Sequence, residues 1–239
     1  MIMQKFAVFD IDGTLIRWQL YHAITDYLAG IGIIPQEEMK AVKDARKRWK
    51  SRETSDSFHE YEKKLIKLYE SSLTSISPKA LDEAAIEVAK RYKSQVYVYT
   101  RNLVRELKKQ GYFIVAISGS HNEIVSHVAE NYGFDYAVGS KFERSGDVFT
   151  GKNFIASKNK DVVLKGIIKK FNLSTEDSYA VGDTINDAPI LGMVTNPIAF
   201  NPNKELLEVA KKNLWKIVVE RKNVYYELEP DSIGEYRLH

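Results

Sequence analysis

The sequence of 239 residues contains no cysteine. That excludes a disulfide framework, a cysteine nucleophile and a thiolate metal site, and it leaves the redox compartment open. Long apolar runs are missing too; none approaches the roughly 18 residues a membrane-crossing helix needs. The first six residues carry one lysine and no extended apolar stretch, and acids arrive by Asp10, so no secretory leader is expected. Charge of one sign is equally scarce: 35 Lys and Arg face 32 Asp and Glu, a net charge of +3. A surplus that small does not by itself indicate nucleic acid or an anionic membrane. His22, His59, His121, His127 and His239 show no metal-ligand spacing. What remains is ordinary globular composition, 44% hydrophobic and 28% charged, in a chain long enough for one large domain or a core with a smaller second one. The expectation is a cytoplasmic protein with neither membrane nor nucleic-acid partner. Oligomeric state is not legible.

Residues 6–9 (Phe-Ala-Val-Phe) form a short apolar run closed by Asp10-Ile11-Asp12-Gly13-Thr14, which reads as a buried parallel strand entering a loop. No convincing strand follows until about residue 93. Helical stretches are expected instead at 18–28, 36–52, 57–71 and 80–92, with starts at Ser55-Asp56-Ser57 and Ser77-Pro78. Gly30-Ile31-Gly32 and Pro35 separate the first two. An α/β rhythm then begins: helix 103–110, strand 112–117 closed by Ser118-Gly119-Ser120, helix 123–132, strand 136–138, a hairpin over 141–154, helix 161–171, strand 179–181 closed by Gly182-Asp183, and strands at 198–200 and 217–219. Alternating strands and helices imply a parallel sheet covered on both faces. The long helical stretch after the first strand exceeds a crossover and reads as an inserted second domain.

Ligands of an open parallel sheet bind beyond the carboxyl ends of its strands. Here those ends are Asp10 and Asp12, Ser118, and Asp183 with Asp187 four residues on. Several close carboxylates are costly unless a cation neutralises them, and an all-oxygen, carboxylate-rich set suits Mg²⁺. A carboxylate there can also serve as a nucleophile.

These motifs, in this order, resemble the haloacid dehalogenase superfamily of phosphatases: Asp10-Ile11-Asp12-Gly13-Thr14, Ser118-Gly119, a lysine, then Gly182-Asp183-Thr184-Ile185-Asn186-Asp187. The position of the helical insert resembles the phosphoserine-phosphatase-like branch, subfamily IB. The resemblance implies an α/β fold: a Rossmann-like parallel sheet core with helices on both faces, built from residues 1–16 and 94–239, and an inserted α-helical cap of the C1 type over residues 17–93. It implies Asp10 as the nucleophile that holds an aspartyl-phosphate and Asp12 as general acid and base. Mg²⁺ would be held by Asp10, the backbone carbonyl of Asp12, and Asp183, with Asn186 and Asp187 in support. Ser118 and the Gly119 amide would bind phosphate oxygens. The phosphate-binding lysine would precede the helix before the Gly-Asp strand; among Lys152, Lys158, Lys160 and Lys165, Lys160 fits best and Lys158 second. The partner is a small phosphate ester.

Plainer readings stand beside these. Asp187 also reads as a helix-start charge. His121 is a candidate site-lining residue or a satisfied core histidine. Trp18, Tyr21, Phe58 and Tyr61 read first as helix-packing residues. Residues 40–52 hold seven Lys or Arg, which reads as a solvated helix face before an anion-attracting surface; no nucleic-acid motif accompanies them. The resemblance thins where phosphoserine phosphatases clamp the substrate's amine and carboxylate with a Glu and an Arg: this chain has Gln19 and Lys63-Lys64-Leu65, and its loop reads Ser-Gly-Ser-His. Phosphoserine is therefore expected to be a poor substrate. A phosphoserine phosphatase proper is one alternative, with Arg46, Arg48 or Arg52 supplying the clamp from a neighbouring helix; phosphotransfer or mutase chemistry, which shares the first half-reaction, is another, and a non-enzymatic binding protein is the last.

Overall fold

The computed structural model describes residues 3–54 and 56–238; Ser55 and His239 lie outside the described residues. The first apolar run is β1 (Gln4–Phe9). Helices α1 (Leu20–Gly30), α2 (Lys40–Lys50), α3 (Ser57–Ser72) and α4 (Pro78–Tyr92) follow before any second strand. Next come α5 (Val98–Lys109), β2 (Phe113–His121), α6 (Asn122–Asn131), and the hairpin of β3 (Tyr136–Ser145) and β4 (Val148–Phe154). The chain continues through α7 (Lys160–Phe171), β5 (Leu173–Gly182), α8 (Ala188–Leu191), β6 (Asn196–Phe200) and α9 (Lys204–Lys212). It closes with β7 (Lys216–Arg221), β8 (Val224–Pro230) and β9 (Tyr236–Leu238).

Among the described residues the strands form one sheet in the order β4-β3-β2-β1-β5-β6-β7-β8-β9. From β3 to β7 all neighbours are parallel; the β4 edge and the β8–β9 edge are antiparallel. Successive strand residues face opposite sides. Phe6 and Val8 join Val115, Ile117 and Ala180 under one helical layer, while Ala7 and Phe9 join Ile114, Val181 and Phe200 under the other. Burial on both faces explains the unbroken apolar runs. Completely burying one such side chain contributes about 1.5–3 kcal/mol. Because β1 lies between β2 and β5, the C-terminal ends of these three strands meet at one edge.

The helical stretch leaves and rejoins the sheet at one place. The Arg17 amide donates to the Gln95 carbonyl (2.8 Å) and the Tyr97 amide to Leu15 (3.0 Å). Between those ends, α1 to α4 enclose their own buried set, including Leu20, Ile24, Tyr61, Leu65, Tyr69 and Leu81. In α2, Val42 and Ala45 are buried, whereas Lys40, Lys43, Lys47 and Lys50 are exposed. No helix of the described residues is long and apolar enough to cross a membrane.

Several boundaries differ from the sequence reading. The helix expected over 36–52 is only α2, because residues 36–39 form turns after Pro35. The β8–β9 extension and α9 carried no signal that the reading used. Helix α5 starts at Val98 rather than at residue 103. The reason is tertiary: Glu220, on β7, accepts the Val98 amide at 3.0 Å and the Tyr99 amide at 2.8 Å. A carboxylate from a strand 121 residues away caps this N-terminus and favours its positive dipole end. Replacing Glu220 with Ala leaves both amides without their acceptor. Urea unfolding is expected to show a loss of about 1–3 kcal/mol, the scale of hydrogen bonds to a charged group. An unchanged midpoint would refute the capping role.

Candidate active site

The site is built on three strand ends. Asp10 follows β1 directly and is 5% exposed. Its amide continues the ladder by donating to Val181 at 2.9 Å. Its Oδ1 accepts Lys160 Nζ at 2.6 Å, and the same ammonium donates to Asp187 Oδ1 at 2.5 Å. Lys160 is the first residue of α7 and is 3% exposed. Lys158 and Lys152 are exposed, and Lys165 pairs with Asp161 on the helix surface. Of the four candidate lysines, the fold brings Lys160 among the carboxylates.

Asp183 follows β5, where its Oδ1 accepts Thr14 Oγ1 at 3.2 Å. Asp187 is buried in the short turn before α8. Its Oδ2 accepts the amides of Asp183 (3.1 Å) and Thr184 (3.0 Å) in a capping box with Thr184. Asp187 thus caps a turn and belongs to the charge cluster at once, so the two sequence readings of this residue coexist. One oxygen from each of Asp10, Asp183 and Asp187 lies within 4.8 Å of the others. Asn186 is exposed and makes no hydrogen bond among the described residues. Glycine is needed at two contacts here. A Cβ on Gly13, which has φ +79°, would sit 2.2 Å from Asp183 Oδ2, and one on Gly182 would sit 2.3 Å from Asp187 Cβ.

Asp12 is turned away from that cluster. Its Oδ1 accepts the Leu20 amide at 2.5 Å and its Oδ2 accepts Ser118 Oγ at 2.6 Å. Ser118 is fully buried at the end of the apolar part of β2, and its Oγ also accepts the Ser120 amide at 2.9 Å. A side chain on Gly119 would meet Ser157 at 2.9 Å, so the loop approaches α7's approach segment closely. His121 is buried, stacks on Phe142 (4.8 Å, 5°) and lies against Glu123. Glu123 in turn accepts Arg144 at 2.6 Å, and Arg144 forks onto both oxygens of Asp82 on α4 (2.7 and 3.0 Å). His121 therefore belongs to a tie between the Ser118 loop and the helical insert. Thr14 and this Arg144 tie escaped the sequence reading; Thr14 lies within the first motif, whereas Arg144 had no local signal.

Electrostatics separates the carboxylates. Burial pushes the Asp10 carboxyl up to about 7; Lys160 opposes this, while Asp187 and Asp12 add to it. Burial, then Asp10 and Asp187, push Asp183 well above the ordinary carboxylate range. Asp12 is raised by burial against the pull of the Leu20 amide, Ser118 and Ser120. Burial presses the Lys160 ammonium down, but Asp10 and Asp187 outweigh it and hold it above its usual value. Two buried carboxylates, a half-buried third and one ammonium leave negative charge uncompensated. That donor set, all oxygen, fits a hard divalent cation.

The family model described as haloacid dehalogenase-like hydrolase matches residues 7–192. The chain belongs to that family. Within it, the chain is similar to curated phosphatases. A histidinol-phosphatase of Neisseria meningitidis is 26% identical over 233 residues, 90% of this chain and 99% of that protein. A phosphoserine phosphatase of Archaeoglobus fulgidus is 31% identical over 136 residues, 55% of this chain but only 40% of that protein's length. A substrate-bound phosphoserine phosphatase structure shares the fold with a TM-score of 0.60 at 24% identity, covering 87% of this chain and 91% of that one.

A pH dependence follows from the raised carboxyls. Unfolded, Asp10 and Asp183 would titrate near 4. Folded and metal-free, they bind protons up to about 7 or beyond. The native state then holds more protons than the unfolded chain in that window, so the contribution of these groups to stability falls as pH rises through it. A cation competes with the same protons. The rise in melting temperature caused by Mg²⁺ is expected to be small at pH 5 and larger at pH 8, read by differential scanning fluorimetry against EDTA. Equal shifts at both pH values would argue against cation binding at this cluster.

Proposed function

We propose that this chain hydrolyses a small phosphate monoester, with Asp10 as nucleophile, Asp12 as general acid and base, and Mg²⁺ as the metal. The observation that carries the reading is the division of labour between two neighbouring aspartates. Asp10 is in the lysine-bridged carboxylate cluster, and Asp12 is held apart by Leu20 and Ser118. A carboxylate kept beside cations suits attack on phosphorus. Asp12, raised by burial as Asp10 is but bonded to the Leu20 amide and Ser118 instead of the lysine, is placed to protonate a leaving oxygen.

Asp10 attacks the phosphorus, the bond from phosphorus to the ester oxygen breaks, and Asp12 gives that oxygen its proton. The alcohol leaves. Asp12 then takes a proton from water, whose oxygen attacks the aspartyl-phosphate, releasing phosphate and restoring Asp10. Lys160, the Ser118 hydroxyl and the Gly119 amide are the groups that would bind the phosphate oxygens; positioning and charge neutralisation supply most of the catalysis in such transfers. Asp10, Asp183 and the Asp12 carbonyl would hold the ion, with Asp187 supporting Asp183 through its amide. When bound, the ion neutralises phosphate charge and favours the ionised form of Asp10. Asp12, as an intact acid and base, favours water over an alcohol as the acceptor.

Residues 17–93 act in this reading as a C1-type lid over a core of residues 1–16 and 94–239. The joined ends of the insert and the Arg144–Asp82 fork support it, since both hold the helices against the strand edge. A lid so placed restricts the substrate to small esters.

Release of p-nitrophenol from p-nitrophenyl phosphate is expected with Mg²⁺ and is expected to stop with excess EDTA. Asp10→Asn should fold normally and retain under about one-thousandth of the activity, as for loss of a catalytic nucleophile. Asp12→Asn should slow turnover while preserving metal binding. Near wild-type hydrolysis by Asp10→Asn would overturn the assignment of the nucleophile.

A further inference from the structure

The leaving alcohol must be accommodated on the insert side of Asp12, and the residues there are an unusual set. The Leu20 amide is bonded to Asp12 and the Trp18 carbonyl accepts the Gly13 amide (3.2 Å), which fixes the start of α1 against the site. Helix α3 crosses that first turn. His22 meets Phe58 and Tyr61 at ring distances of 6.1 and 4.7 Å, and Tyr21 meets Tyr69 at 5.0 Å. Glu62 lies on α3 among these contacts, within range of the Asp12 carboxylate, which repels it. Glu62 is half-buried and forms no hydrogen bond or ion pair among the described residues. Gln19, at the N-cap of α1, is likewise half-buried without a side-chain partner there.

Positive charge is missing from the same wall. Leu65 is completely buried, and Lys63 and Lys64 are exposed. Arg46 is held by Asp26 (2.7 Å) and Tyr61 (2.8 Å), and Arg144 by Asp82 and Glu123. Burial, then Arg46, press His22 down to about 3, so it stays neutral. Burial raises Glu62 as well; exposed His59 opposes this and the Asp12 carboxylate adds to it. A half-buried carboxylate beside a second one is a destabilising arrangement until a cation arrives.

We propose, on the footing of the phosphatase reading above, that Glu62 is a specificity-determining residue: the substrate is the phosphate ester of an alcohol that carries a positively charged amine or imidazolium and no carboxylate. Glu62 accepts from the cation, Gln19 offers a neutral acceptor, and the rings of Tyr21 and Phe58 add apolar and cation–π surface. A substrate carboxylate would meet Glu62 and Asp12, while Arg46 and Arg144 are already held by Asp26, Asp82 and Glu123.

The test compares kcat/KM, with Mg²⁺, for L-histidinol phosphate, O-phosphoethanolamine, phosphocholine, L-phosphoserine, glycerol 3-phosphate and p-nitrophenyl phosphate. The best cationic, carboxylate-free ester is expected to exceed L-phosphoserine and glycerol 3-phosphate by about tenfold or more, the scale of one charge-assisted contact. Glu62→Gln should lower the ratio of that ester to p-nitrophenyl phosphate about tenfold, mainly through KM. Glu62→Lys should lower it further and improve L-phosphoserine, with circular dichroism and melting curves confirming that both variants fold. The inference is overturned if L-phosphoserine or glycerol 3-phosphate is best, or if the ratio is unchanged in folded Glu62→Gln; the phosphatase reading survives either result. If p-nitrophenyl phosphate and every other ester fail, the phosphatase reading itself falls and takes the inference with it.

Discussion

Everything at the strand edge depends on one constraint: two buried carboxylates and a half-buried third lie within a few ångströms of one another, with a single ammonium bonded to two of them. Asp10, Asp183 and Asp187 would repel one another strongly in so dry a place. Lys160 relieves part of that by bonding to Asp10 and Asp187 together. The backbone takes up more, as the amides of Asp183 and Thr184 fix Asp187 through its other oxygen. Burial, with the repulsion that remains, holds the Asp10 and Asp183 carboxyls above the ordinary carboxylate range. A site that is stable only with protons or a cation present is poised to take one up.

The rest of the fold can be understood as the scaffold for that arrangement. Burial on both faces of β1, β2 and β5 makes the sheet rigid where the charges are concentrated. Gly13 and Gly182 let backbone and carboxylate come closer than any side chain would allow. The helical insert is anchored at the same edge, by paired backbone bonds at its ends and by Arg144 between α4 and the first turn of α6. Its aromatic interior holds α1 against α3 through His22 on Tyr61 (4.7 Å) and Tyr21 on Tyr69 (5.0 Å), and α2 against α3 through Trp49 stacked on Tyr61 (5.4 Å, 6°). That packing decides which side chains come within range of Asp12.

Trp18, Tyr21, Phe58 and Tyr61 illustrate how one residue set can serve packing and recognition together. Tyr61 is fully buried and accepts from Arg46, so its role is internal to the insert. Tyr21, Trp18 and Phe58 are half-buried and sit at the end of the insert that faces the core. The basic residues of α2 are different: apart from Arg46, none of the seven between 40 and 52 has an ion-pair partner among the described residues, as expected for a solvated face.

The sequence by itself determined the family, the α/β class and the order of the motifs. Those signals are local: an apolar run that ends in Asp, a glycine where the chain must turn, alternating strand and helix patterns. It also pointed to Asp10, Asp12, Ser118, Asp183 and Asp187 as one group, because strand ends of a parallel sheet share an edge. Only the tertiary structure decided which lysine reaches the carboxylates, since Lys158 and Lys160 differ by rotation about a helix start that no spacing rule resolves. It alone set the start of α5, through Glu220 on a distant strand. It also placed His121 in the tie to Arg144 and left Glu62 half-buried on α3 without a hydrogen-bond or ion-pair partner among the described residues. Those outcomes are contacts between residues far apart in the chain, and they follow from packing and charge, which local pattern does not encode.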